Sequence, residues 1–177
     1  MSRAIEHLQE LVQIPTISRL DESLVEWAAF DRFILALERL FPLVHQRLTR
    51  EIVGGHSLMF RWEGRVAAQP AVLMAHYDVV AATDEGWEHP PFSADIVGAG
   101  GQAEIWGRGT VDDKGSLVAL LEGVEAALGA GHTPARDIYL VFGHNEETTG
   151  TGAAAVAELL GARGIRPLLV LDEGGAV

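Results

Sequence analysis

Ile5, Leu8, Leu11 and Val12 recur at intervals of three and four, the spacing of one helix face, and Pro15 sets the stop of that first helix. From Ser23 to Phe41 a broad apolar face predicts a second, well-buried helix with Ser23 as its cap. The period then changes. Three short runs bounded by Gly or Pro, VHQRLT (Val44–Thr49), HSLMFRW (His56–Trp62) and AVLMAHYDVV (Ala71–Val80), predict strands. The last is continuous enough in its apolar residues to be covered on both faces.

Between Ala81 and Gly109 lie two prolines, several glycines and two tryptophans, which predict a long loop with a small hairpin. Loops of that length commonly carry function. Leu117, Leu120, Leu121, Val124 and Leu128 mark a third helix from Lys114, ending near Gly129 and Gly131. DIYLVFG then reads as a strand, GAAAVAELLGARG as a helix and RPLLVLD as a strand. This alternation predicts an α/β fold, a three-layer sandwich in which helices flank a mainly parallel mixed sheet.

With 177 residues the chain is long enough for one sizeable core. Hydrophobic residues at 48% and charged residues at 21% place it among globular proteins. The net charge of -12 argues against a nucleic-acid or anionic-membrane surface, since both are bound through clustered Lys and Arg, and it suits a protein that collects cations. Without cysteine, disulfides, iron–sulfur clusters and thiolate zinc sites are excluded, so any metal must be held by His, Asp and Glu. No stretch of roughly 18 or more apolar residues predicts a membrane span. MSRAIEHLQELVQIPTIS also lacks the unbroken apolar core of a signal peptide, which makes a cytoplasmic location the expectation.

Four polar clusters fall at comparable places. His76 and Asp78 end the third strand, Asp112 and Asp113 precede the third helix, Glu146 and Glu147 follow DIYLVFG, and Asp172 and Glu173 end the last strand. In open α/β sheets ligands bind at the carboxyl ends of the strands, so these clusters have a geometric reason to converge. Each also has an ordinary reading. His76 and Asp78 form a plausible loop pair, Glu146 and Glu147 a helix cap, and Asp112 and Asp113 partners for a helix dipole. If the acids do converge, like charges at close range resist joint ionisation, so either they spread around a wet rim or cations hold them. Oxygen and imidazole ligands suit zinc, manganese or cobalt, with zinc usual for hydrolysis. Two ions ~3.5–4 Å apart, bridged by one carboxylate, would use the whole set. His89, His132 and His144 read as surface or loop histidines.

LVQIPTIS, LMAHYDVV, WEHPPFSADI, IWGRGTVDDKGSL, GHNEETTGTGAAAVAELL and LDEGG, in this order, closely resemble the zinc-dependent aminoacylase and carboxypeptidase family. That family includes acetylornithine deacetylase, succinyl-diaminopimelate desuccinylase and carboxypeptidase S. The DDKGS and LDEGG versions look most like the carboxypeptidase S and N-acyl-amino-acid hydrolase branch. The resemblance implies a zinc-exopeptidase-like fold and two zinc ions. Of these, His76, Asp112 and Asp172 would hold one, while Asp112 and Glu147 would contribute to the other. Asp78 would stand behind His76 and fix its ring. The Asp112–Asp113 peptide would be cis. Glu146 would act as general base toward zinc-activated water in cleaving the amide bond of a small peptide or N-acyl amino acid, and would then protonate the leaving amine.

Two positions depart from the family pattern: Ala81, where proline is common after DVV, and Asn145, where an acid is common before the glutamate pair. Family members are more than twice this length. The resemblance therefore implies that residues 1–177 are the N-terminal portion of a catalytic domain. An inserted lid and dimerisation domain, and a C-terminal part with a late histidine for the second zinc, would lie elsewhere. The chain by itself is then expected to bind one zinc, hold a second weakly and turn over little substrate. A homodimer would belong to the full-length protein. The alternative is a non-catalytic truncated paralogue acting as a binding or assembly module.

Overall fold

Ile138–Gly143 is apolar along its whole length, the composition of a strand covered on both faces, and it lies at the centre of the sheet. The computed structural model describes residues 2–174. In chain order the elements are α1 (Arg3–Val12), α2 (Trp27–Leu40), α3 (Pro42–Arg47), β1 (Thr49–Val53), β2 (Ser57–Trp62) and β3 (Ala71–His76). After a hairpin of β4 (Asp95–Val97) and β5 (Glu104–Trp106) come α4 (Lys114–Gly129), β6 (Ile138–Gly143), α5 (Thr151–Ala162) and β7 (Leu169–Leu171). The main sheet has the order β1-β2-β6-β3-β7. β1, β2 and β6 pair antiparallel, whereas β6, β3 and β7 run parallel.

Alternation along the strands sorts side chains between two cores. Leu58, Phe60, Leu140 and Phe142 join Phe30, Phe33 and Leu37 of α2 and Leu117 and Leu121 of α4 in the larger core. Met59, Tyr139 and Val141, the intervening positions, pack with Val156 and Leu160 of α5 in the smaller one. The result is the expected mixed sheet flanked by helices. Among the described residues, no helix is long and apolar enough to cross a membrane.

Three local expectations change. VHQRLT was expected as a strand, but Pro42–Arg47 is helical and the strand begins only at Thr49. Pro42 suits a first helical turn, and the Glu125 carboxylate of α4 accepts from the backbone N–H groups of Leu43 and Val44 (3.0 and 2.9 Å), a cap supplied from far along the chain. Ser23 does not cap α2; its N–H and hydroxyl both bond Asp21 in a separate 3-10 turn, and α2 starts at Trp27. The strand expected to reach Val80 ends at His76, because Val79 bridges Ile17 instead of the sheet.

Candidate metal centre

The carboxyl ends of β3 and β6, the start of α4 and the segment after β7 meet at one edge of the sheet. β3 brings His76, whose side chain is 2% exposed. Its Nδ1–H donates to the Asp78 backbone carbonyl at 3.0 Å, with an Asp78 carboxylate oxygen at 3.3 Å. With Nδ1 committed as donor, Nε2 faces outward, 2.9 Å from Asp112 Oδ1, 3.3 Å from Glu173 Oε1 and 3.8 Å from Glu146 Oε2.

Asp78 is fully buried, and its two oxygens accept the N–H groups of Glu146 and Glu147 at 3.0 and 3.1 Å. One carboxylate thus fixes both the imidazole at the end of β3 and the glutamate pair after β6. The pair itself stays accessible: the Glu146 side chain is 53% exposed, and that of Glu147 is half-buried.

The Asp112 side presents a second arrangement. Asp112 is open to solvent, whereas Asp113 and Lys114 are fully buried, and the Asp112–Asp113 peptide is cis. Asp113 Oδ2 accepts the backbone N–H of His76 at 3.2 Å. Lys114 Nζ donates to the carbonyls of Leu11 and Ile14 at 3.0 and 2.7 Å, capping the end of α1, and lies 5.1 Å over the Phe33 ring. Gly109 lets this turn close, with φ of +85° and a position where a Cβ would sit 2.6 Å from the Val79 side chain.

Among the described residues, His76, Asp112 and Glu173 form a group whose ligand atoms all lie within 4.8 Å of one another. Asp172, the acid that the sequence singled out, stands outside this group and accepts the Glu173 N–H at 2.9 Å. Both acids follow the last strand residue, Leu171, and both border Ser116, Ala119 and Leu120 of α4, while Asp172 also borders Gly150 and Ala153 on the α5 side. No periodic signal in the sequence separates the two. His144, expected as a surface or loop histidine, is buried. It is 3% exposed, with Nδ1 2.7 Å from the Ser57 hydroxyl. His89 is half-buried against Asp95 at 3.0 Å, and His132 is exposed.

Electrostatics mark the place as short of positive charge. Burial opposes the charge on His76, but the carboxylates of Asp78, Glu173 and Asp112 outweigh it and lift its pKa to about 10. Burial raises Glu147, and the charges of Asp112, Asp78 and Glu146 add to that. Glu173 is raised by burial and by Asp113, Asp112 and Glu146, against the opposing pull of His76. An imidazole nitrogen facing carboxylate oxygens, with no thiolate, fits a divalent cation of the zinc, manganese or cobalt class.

Residues 72–176 match Peptidase family M20/M25/M40. Human N-fatty-acyl-amino acid synthase/hydrolase is 39% identical over 177 residues, covering 97% of this chain and 34% of that protein. Carboxypeptidase S of Saccharomyces cerevisiae is 35% identical over 191 residues, covering 98% of this chain and 32% of its own length. The chain therefore spans about a third of the length of these curated relatives. The M20 family metallo-carboxypeptidase Sso-CP2 from Sulfolobus solfataricus superimposes with a TM-score of 0.71 at 22% identity, covering 100% of this chain and 38% of that one. A shared fold, a match across most of β3 to β7 and relatives that align over nearly all of this chain lead to one assignment: the chain belongs to Peptidase family M20/M25/M40.

Proposed function

We propose that residues 1–177 form the N-terminal portion of the catalytic domain of a metal-dependent hydrolase that cleaves the amide bond of a small peptide or an N-acyl amino acid. The observation that carries this reading is the convergence of His76 Nε2, Asp112 and Glu173, with the Glu146 carboxylate 3.8 Å from the same nitrogen. The relatives support the substrate class, one being described as an N-fatty-acyl-amino acid synthase/hydrolase and another as a carboxypeptidase.

His76, Asp112 and Glu173 would hold one zinc ion, and Asp112 with Glu147 would contribute to a second. Zinc bound there supplies Lewis-acid polarisation of a carbonyl and lowers the pKa of water toward neutrality. The protein's own groups do the rest. Asp78 keeps the His76 ring turned so that Nε2 offers its lone pair. Asp113 and Lys114 anchor the turn from beneath, which leaves Asp112 free to face the site. Among the described residues Glu146 makes no side-chain hydrogen bond, and it is open to solvent, which supports a role as the base that would take a proton from the attacking water and return it to the leaving amine.

The test is hydrolysis of N-acyl amino acids and dipeptides by the zinc-loaded full-length protein to which this portion would belong, beside Glu146→Gln. Glu146→Gln is expected to hold zinc as the wild type does and to lose roughly 10²–10⁴-fold in rate. A full-length wild type that holds zinc and hydrolyses neither class would overturn the catalytic reading in favour of a binding module.

A further inference from the structure

Asn145 separates β6 from the Glu146–Glu147 pair and is 7% exposed. Its backbone carbonyl accepts from the N–H groups of Thr148, Thr149 and Gly150 at 3.4, 3.1 and 2.8 Å. Its side-chain Oδ1 accepts the Gly152 N–H at 3.0 Å, and Nδ2 donates to the hydroxyls of Thr149 and Thr151 at 2.8 and 2.7 Å. A primary amide is the side chain that offers two donors and an acceptor together, and here both donors and the acceptor are engaged. The turn that carries the two glutamates therefore closes around one side chain.

The surrounding packing holds this knot in place. Just before it, His144 is fixed to the Ser57 hydroxyl, and the start of α5 rests on that pair. A Cβ on Gly152 would lie 2.2 Å from Ser57 Oγ, so α5 reaches Asn145 only because the residue there is glycine. On the other side of the turn, Asp78 receives the N–H groups of Glu146 and Glu147. Asn145 and Asp78 thus grip the same turn from opposite sides.

Asn145 is also where the sequence departs from the acid common in its family. A carboxylate there has no hydrogen to give, so both threonine hydroxyls would have to turn and donate, and a further anion would join Asp78, Asp112 and the two glutamates. We propose that Asn145 is a positioning residue for the Glu146–Glu147 pair, fixing their turn with an uncharged side chain. What the pair does rests on the hydrolase reading, but the positioning itself can be tested separately.

The experiment follows amide hydrogen exchange at Glu146 and Glu147 by NMR, with zinc affinity measured by competition against a chromophoric chelator and folding checked by circular dichroism. Asn145→Ala is expected to remain folded, to speed exchange at both glutamates and to weaken the second zinc, to which Glu147 would contribute, by about tenfold or more, as loss of groups that orient ligands commonly does. Asn145→Asp, which keeps the acceptor for Gly152 but has no hydrogen to give and adds an anion, is expected to speed exchange less than Asn145→Ala does. Thr151→Val removes one donated bond and serves if the alanine variant does not fold; faster exchange is again expected. Wild-type exchange and second-zinc affinity in a folded Asn145→Ala or Thr151→Val, or wild-type exchange in Asn145→Asp, would overturn the proposal. A wild type that binds no zinc would instead overturn the metal reading and leave the exchange comparison to decide the positioning.

Discussion

Helices α1 to α4 close one face of the sheet around Phe30, Phe33, Leu37 and Leu121, all fully buried, while α5 alone covers part of the other. Beside α5 a groove of about 520 Å³ remains, lined by Val72, Val141, Leu160 and Val170 among others. β7 borders this groove, and Leu169, Val170 and Leu171 are all more than half exposed. The centre draws on both sides. Asp113 and Lys114, which anchor the Asp112 turn, are fully buried in the closed side, whereas Glu173 follows the exposed strand. The Asp112 turn on the closed side is set by the core itself, whereas Glu173 on the open side follows a strand with little packed over it.

This difference can be broken by deleting equivalent apolar mass on each face. Leu37→Ala, fully buried on the closed face, is expected to fall toward the high end of the range for leucine, about 4–5 kcal/mol in urea unfolding. Leu160→Ala, which borders the groove, is expected to fall near the low end of the range for leucine, about 2 kcal/mol. Equal losses would mean that the two faces are equally packed.

A smaller effect sharpens the comparison through pH. Burial lowers the pKa of Lys114 to about 7 from an ordinary 10.5, with only the charge of Asp78 opposing. Between those values the unfolded chain binds the proton and the folded one does not, so this residue makes stability rise with pH from about 7 toward 10.5. Below about 7 both states are protonated, and the cost of burying the charge is present in full. His76, lifted from 6.5 to about 10, acts in the opposite sense over the same range, so chemical unfolding at pH 7 and pH 9.5 should show a wild type that changes little and a Lys114→Met variant that loses stability as pH rises. A parallel pH dependence in both would remove Lys114 as a contributor.

Long periodic segments were legible in the sequence. The apolar positions of α4 and the continuous run of β6 suffice because their burial is set by their own period. The clustering of polar residues at strand ends was legible for the same reason. α3 was not, because its cap comes from Glu125, 81 residues from Val44 in sequence. Nor was the burial of His144, which depends on Ser57 across the sheet and on a glycine in α5. Nor was the approach of Glu173 to His76, because Asp172 and Glu173 lie beyond the last strand residue, Leu171, and adjacent acids do not reveal which of them turns toward the imidazole.

The most direct test of the metal centre is zinc titration by calorimetry of the wild type beside Asp112→Ala, Glu173→Ala and Asp172→Ala, each first shown to be folded. Convergence of His76, Asp112 and Glu173 predicts a zinc site that Asp112→Ala and Glu173→Ala lose and Asp172→Ala keeps. Binding that survives Glu173→Ala and disappears in Asp172→Ala would contradict it.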